Sequence, residues 1–323
     1  MSPMLPISNP LLLEQKLIDY KKLRKVVNGS LLENEPMSKH TSYGIGGPAL
    51  AYIIPKDRED LSSILKFALE NKLPVYFIGS GSNLLVSDEG INGIVISPAR
   101  SLKSLKIEKN LIFAESGVML GKLVKESIKR NLTGLESLVG VPGTLGGALV
   151  MNAGAFGGEI SNYLINVDVM TSKGELKTYN ANDIDFSYRF SSFTTDEFIL
   201  LARFELETEK PEIISEKRMM ASSGRKTNQP LRFRSAGSVF KNPKDHAAGY
   251  LIDKAGLKGK RIGDAEISTH HANFFINHGN ASASDITELI RIAKSAVLEE
   301  FDIELELEIK TIGFEKNKIE IND

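Results

Sequence analysis

The sequence predicts an α+β chain in two or three domains, with boundaries near residues 100 and 210. Three observations carry that reading. The 323 residues suffice for more than one core. Helical and strand-like apolar patterns are interspersed along the chain, with hairpins in its first and middle thirds. The first glycine-rich turn leads into a strand, where a dinucleotide-binding α/β domain needs a helix.

Taken in order, residues 10–27 fit an amphipathic helix through Leu13, Leu17, Tyr20 and Val27. A loop rich in turn residues follows, HTSYGIGGPA. Residues 57–73 place Leu61, Ile64, Leu65, Ala68 and Leu69 at helical spacing and lead to a buried strand over 75–78. The turn GSGSN, an apolar run at 84–86 and GIVIS come next. Residues 105–115 read as a hairpin and 118–131 as a helix through Leu120, Leu123, Val124 and Ile128. Strands follow over 165–171, 175–179 and 199–206, the first two joined at SKG, and then a bridging helix over about 211–224. The last third holds a strand-like 239–240, a helix over 248–255, strands near 262–267 and 273–277, and a helix over 284–300. It closes on an alternating strand, IELELEIKTIG.

Composition excludes several classes. The chain is 41% hydrophobic and 25% charged with a net charge of -1, which predicts neither nucleic acid nor an anionic membrane as a partner. Cysteine is absent, so disulfides, thiol catalysis and iron–sulfur ligation are excluded. The start lacks a basic n-region, and no apolar run is long enough for a membrane span. A cytoplasmic protein is expected, and the Asn-x-Ser/Thr matches at Asn28, Asn131 and Asn280 then carry no meaning. His40, His246, His270, His271 and His278 show no metal-ligand spacing, so no metal is expected.

Two glycine-rich loops stand out. GSGSN (79–83) fails the dinucleotide fingerprint, because Leu84 stands where the last glycine belongs. Two readings stay open: a plain turn, or a nest of backbone N–H groups for an anion, helped by Ser80, Ser82 and Asn83. The second loop, 140–158, holds seven glycines in GVPGTLGGALVMNAGAFGG. Such density predicts a backbone laid flat against a large planar ligand, with a structural loop packed on itself as the alternative. No Walker lysine follows, which argues against a nucleoside triphosphate. A third stretch, RSAGSVFKNP (234–243), carries Ser238 without a G-x-S-x-G turn and with His246 as its nearest histidine. That context does not support a base-activated nucleophile. Around it, Arg225, Lys226, Arg232, Arg234, Lys241 and Lys244 form a basic stretch suited to phosphate.

Together the stretches HTSYGIGGPA, GSGSNLLVSD, GLESLVGVPGTLGGALVMNAGAFGGEI, FSYRFSSF, AGSVFKNP, AGLKG and EIKTIG resemble the MurB family, the UDP-N-acetylenolpyruvoylglucosamine reductases of peptidoglycan synthesis. They run in order from about residue 38 to 313. The resemblance implies a flavin-binding fold of the vanillyl-alcohol-oxidase type in two α+β subdomains, 1–100 and 101–210. A C-terminal α+β substrate-binding domain, 211–323, completes it. The spacing after FSYRFSSF matches the shorter structural type, which lacks a substrate-covering tyrosine loop. The implied reaction has NADPH reduce noncovalent FAD, which reduces the enolpyruvyl ether of UDP-N-acetylglucosamine to the lactyl ether of UDP-N-acetylmuramate. By similarity Ser238 donates a proton, and Arg189 and Glu308 stabilise the enolate. Contacts to FAD are implied for Gly79, Ser80, Gly81, Ser82, Asn83, Gly143, Thr144, Gly146, Gly147, Asn152, Ala153 and Gly154. Contacts to the UDP-sugar are implied for Tyr188, Arg225, Lys241, Asn242, His271 and Lys310.

Alternatives stay open at three of these residues. Arg189 is either the active-site arginine or a surface partner of Asp185. Glu304, Glu306 and Glu308 share one face of an alternating strand, so Glu306 is the second candidate for the acid, and a solvated edge is the plain reading. His271 is either a substrate contact or a structural histidine. Three positions depart from the family pattern: Gly44 and Lys310 stand where arginine is usual, and Leu307 where proline is. Two other functions compete, a noncovalent FAD oxidase of the same fold and a sugar-nucleotide binder that has lost its chemistry.

Overall fold

A computed structural model describes residues 18–314, apart from the side chain of Lys226, so residues 10–17 of the first predicted helix lie outside the described residues. The remainder of that helix is present over Tyr20–Val26, with Leu23 fully buried.

The first sheet has four strands in the order Ser30–Pro36, Pro48–Ile54, Ile91–Ile96, Val75–Phe77. Its first pair is antiparallel and its other pairs are parallel. The helix Arg58–Glu70 makes the crossover, started by Asp57, whose side chain accepts the Asp60 N–H. Leu61, Ile64 and Leu65 pack on Ile53, Ile94 and Ile96. The buried Asp60 carboxylate accepts backbone N–H groups from Asn28, Gly29 and Lys56, at 2.9, 2.8 and 2.8 Å. Strands Ser30–Pro36 and Pro48–Ile54 were not expected: turn residues dominate HTSYGIGGPA, although PALAYII reads in isolation as a buried strand. Val75–Phe77 is half-buried rather than buried, because it forms the edge of the sheet.

The second sheet has five antiparallel strands in the order Leu176–Asn180, Leu164–Thr171, Glu197–Glu205, Leu111–Glu115, Leu105–Glu108. Helix Leu120–Ile128 covers it through Leu120, Leu123 and Val124. Helix Pro211–Asn228 then leads to a third core. There the strands Arg261–Ile262, Ala265–Ile267 and Phe275–Asn277 form an antiparallel sheet beneath helix Ala283–Phe301. A Ser282/Asp285 capping box starts that helix. The Asp88 carboxylate, 195 residues earlier in the chain, accepts the N–H groups of Ala283 and Ser284 at 2.8 and 3.0 Å.

The C-terminal segment corrects the sequence reading. Only Lys310–Ile312 is a strand, and it pairs in parallel with Leu84–Val86 of the first unit. Leu307 instead bridges antiparallel to Phe240. The chain changes partner between 307 and 310, so the alternation predicted across 303–313 breaks at Glu308. Residues 234–240 likewise make isolated bridges to Asn277, Phe274 and Leu307 rather than a ladder. Apolar cores centre on 18–102, shared with Met170, Phe198 and Leu200 of the second sheet, on 105–206 and on 236–309, which Tyr43, Ile45 and Leu85 join. No helix among the described residues is long and apolar enough to cross a membrane.

Candidate active site

The two glycine-rich loops, the tip of a short hairpin and the returning C-terminal segment wall one cavity of about 640 Å³, large enough for a cofactor. At 79–83 the glycines are required by close approach. Gly81 has φ +69, and a Cβ there would lie 1.9 Å from the His40 carbonyl oxygen. The side chains of this turn divide their work. Ser82 Oγ donates to the Pro142 carbonyl at 3.3 Å, tying the two loops together. Asn83 Nδ2 donates to the Glu308 carbonyl at 3.1 Å, and Asn83 in turn accepts the Lys310 N–H at 2.9 Å. Ser80 Oγ is buried and has no partner.

The second loop is not the flat ribbon expected from its glycines. It contains the short helix Leu145–Val150, whose Thr144 cap accepts the Gly147 N–H at 3.5 Å. Leu145 and Leu149 are fully buried in the middle core, and that burial outweighs the poor helix propensity of Gly146 and Gly147. A small hairpin, Gly154–Ala155 with Gly158–Glu159, follows. Phe156 sits at its tip with φ +48, over Gly224 and Arg225.

A second hairpin, Phe186–Ser187 with Phe190–Ser191, places Arg189 at its tip with φ +57. A non-glycine residue in this left-handed region costs energy and concentrates at functional sites. Arg189 Nε donates to Glu308 Oε1 at 2.7 Å, and Nη1 donates to the Gly154 carbonyl at 3.0 Å. The arginine therefore faces the cavity and pairs with Glu308, not with Asp185. Glu308 is 15% exposed against 73% for Glu306, whose carboxylate pairs with Lys241 outside. Burial pushes the Glu308 carboxyl above its ordinary range, opposed by the charges of Arg189 and Lys241.

Ser238 lies on the same wall. The N–H of Glu308 donates to the Val239 carbonyl at 2.8 Å, which sets the acid beside the serine backbone. Gly237, at φ +81, has open space where a side chain would stand. The Ser238 hydroxyl has no hydrogen-bond partner among the described residues, so it is free to turn toward a ligand. Arg225 adds a second cation to the wall. Its Nε is buried without a partner, and burial followed by the charge of Arg189 holds its pKa below the usual arginine value. An anionic ligand would relieve both.

Every residue expected against the cofactor lines the cavity except Asn152, which lies behind the wall. Of the residues expected at the substrate, Arg225 and Lys310 line it. Tyr188, Lys241, Asn242 and His271 do not. Tyr188 Oη accepts the Asn242 N–H at 3.4 Å, and Asn242 Oδ1 accepts the N–H of Ala248 at 3.1 Å, at the start of helix Ala248–Lys254. His271 Nδ1 accepts the Asn273 N–H, its ring lies against Phe274, and burial depresses its pKa. The basic stretch 225–244 is not one patch. Arg232 and Lys244 are exposed, and the Arg234 guanidinium fills the space above Gly44, where a Cβ would lie 2.2 Å from Nη1. Sequence reasoning missed Ser116, Phe156 and Phe274 in the wall. Ser116 had a signal: Ser116–Gly117 closes the alternating strand Leu111–Glu115 at its cavity end.

The lining fits FAD. It combines tight glycine turns, a cavity of cofactor size, and, among the described residues, buried unpartnered polar atoms at Ser80 and Ser116. Comparison with known proteins agrees. Residues 49–180 match an FAD-binding domain family, and residues 229–312 match the C-terminal domain of UDP-N-acetylenolpyruvoylglucosamine reductase. The reductase of Alkaliphilus oremlandii is 41% identical over 304 residues, covering 93% of this chain and 99% of its own. That of Syntrophomonas wolfei is 41% identical over 283 residues, or 87% and 95%. The crystal structure of the Thermus caldophilus enzyme superposes with a TM-score of 0.75 at 35% identity, over 88% of this chain and 99% of that one. With its α+β flavin-binding fold and FAD as cofactor, the chain belongs to the UDP-N-acetylenolpyruvoylglucosamine reductase family.

Proposed function

We propose that this protein reduces the enolpyruvyl ether of UDP-N-acetylglucosamine to the lactyl ether of UDP-N-acetylmuramate in the cytoplasm, with Ser238 as proton donor and Arg189 and Glu308 as the enolate-binding pair. One observation carries the residue assignment: Arg189 and Glu308, 119 residues apart, meet at 2.7 Å in the wall of the flavin cavity, beside a serine hydroxyl with no partner of its own. When bound, FAD takes reducing equivalents from NADPH and supplies a hydride to the terminal vinyl carbon of the substrate.

The chain's residues handle the charge and the proton that this addition requires. Negative charge spreads from the neighbouring carbon onto the substrate carboxylate, and the forked guanidinium of Arg189 suits that group. An anion on Arg189 takes away the counter-charge that had favoured ionised Glu308. The acid, already raised by burial, then holds its proton and donates a hydrogen bond to the enolate. Ser238 Oγ delivers its proton to the carbon and is reprotonated from solvent. Lys310 and Arg225 bring further positive charge to the wall, and the unpartnered Nε of Arg225 suits the substrate diphosphate.

The test is anaerobic. One equivalent of NADPH should bleach the yellow holoenzyme, and UDP-N-acetylglucosamine enolpyruvate should restore the oxidised flavin spectrum. A flavin that bleaches but stays reduced would overturn this function and point to a different electron acceptor or a disabled site; rapid reoxidation by oxygen without substrate would favour the oxidase.

A further inference from the structure

Asn152 was expected at the cofactor, but it is fully buried and does not line the cavity. Both hydrogens of its amide are engaged: Nδ2 donates to Glu159 Oε2 at 2.8 Å and to the Ser187 carbonyl at 3.1 Å. Its Oδ1 has no partner among the described residues, so the side chain serves as a donor only. Ser187 belongs to the hairpin that carries Arg189. Two more bonds dock the same hairpin: Ser191 Oγ donates to the Val150 carbonyl at 2.8 Å, and Arg189 Nη1 to the Gly154 carbonyl at 3.0 Å. Alternate residues of the cavity loop, 150, 152 and 154, thus hold one hairpin. Asn152 alone among them does so with its side chain.

We propose that Asn152 is a positioning residue, which sets the height of the Arg189 guanidinium over the cavity through the Ser187 carbonyl. This rests on the reading of Arg189 as the group that meets the substrate carboxylate. The hairpin is only two residues wide on each strand, so it has little rigidity of its own. With the middle tether gone, the tip moves as a unit and carries the guanidinium with it.

The test uses Asn152→Asp in the holoenzyme. Aspartate is nearly isosteric and tolerates the φ of +41. It replaces both donated hydrogens with an acceptor facing a carboxylate and a carbonyl. A companion double variant, Asn152→Asp with Glu159→Gln, restores a donor to residue 152 from residue 159 but leaves Ser187 without one. For both variants we expect unchanged FAD affinity and NADPH bleaching at the wild-type rate. Recovery by substrate should slow by about 10- to 100-fold, the scale of an ångström-sized misplacement. Substrate affinity, read from perturbation of the oxidised flavin spectrum, should weaken by about 10-fold in parallel. The pH at which recovery falls should move upward, because a displaced guanidinium opposes the burial of Glu308 less. Recovery of wild-type rates in the double variant would overturn the proposal, leaving Asn152 as a support for its own loop. Loss of FAD, or equal slowing of both half-reactions, would overturn it too. Where the aspartate does not fold, Asn152→Gly keeps the backbone freedom and must show the same split. A wild-type flavin that substrate fails to reoxidise would instead sink the reductase reading itself.

Discussion

The two glycine-rich turns border the same cavity and hold opposite members of the proposed Arg189–Glu308 pair by different means. The turn 79–83 holds Glu308 by its main chain: Asn83 donates to the Glu308 carbonyl and accepts the Lys310 N–H. The carboxyl is left to enter the cavity and meet a guanidinium. The second loop holds Arg189 by its side chain, through the Gly154 carbonyl, and by the hairpin beneath it. The acid therefore has a fixed backbone, and the arginine a fixed head group. Each loop presents one side to the cavity and the other to one half of the pair, so on the proposed roles the flavin site and the proton chemistry share a scaffold.

Ser238 is held by neither turn and gives the sharpest contrast. Ser238→Ala should leave NADPH-to-flavin reduction intact and slow flavin recovery by ~10²–10⁴-fold in anaerobic stopped flow. Equal slowing of both steps would make it a flavin contact. Glu308→Gln comes next, at about 10²-fold on recovery alone. Its pH dependence tests the main-chain tether, because the acid must be protonated to donate. Burial raises its pKa, so the protonated form persists above the ordinary carboxylate range and recovery falls as pH rises through the raised value. Glutamine is neutral throughout, and that limb should vanish. Asn83→Ala removes one hydrogen bond to the Glu308 main chain, about 1 kcal/mol. Recovery should then fall about fivefold, and dialysis should show weaker FAD retention as well. The smallest effect belongs to Glu306→Gln, within about twofold, since its carboxylate faces solvent and pairs only with Lys241. A large effect there would move the acid from 308 to 306.

Much of this site is legible in the sequence, because glycine turns and the decamer around Ser238 are local signals. The hairpin Phe186–Ser191 was not legible, since its two-residue strands are too short to show alternation. Nor was helix Leu145–Val150, whose two glycines speak against a helix that tertiary burial then supplies. A change of strand partner sets the environment of Glu308 apart from that of Glu306, and regular alternation contains no mark of that. Asn83 and Asn152 were legible as site residues, but their contacts lie 225 and 35 residues away, beyond any local pattern. Tyr188, Asn242 and His271 belong to the family motifs but lie outside the cavity lining: Tyr188 and Asn242 join the arginine hairpin to the third unit, and His271 braces its own turn.

The parallel pairing of Lys310–Ile312 with Leu84–Val86 has a consequence for biosynthesis. Its partners are separated by 226 positions, and the returning strand is the last described element to leave the ribosome. The first two units can bury their own cores while translation continues, yet Glu308 reaches Arg189 only once this final strand has docked. Closing so long a loop is slow compared with local folding. On the proposed roles, a nascent chain therefore buries its first two cores before Glu308 meets Arg189, and the first turnover waits for the stitch between an early and a late segment of the polypeptide.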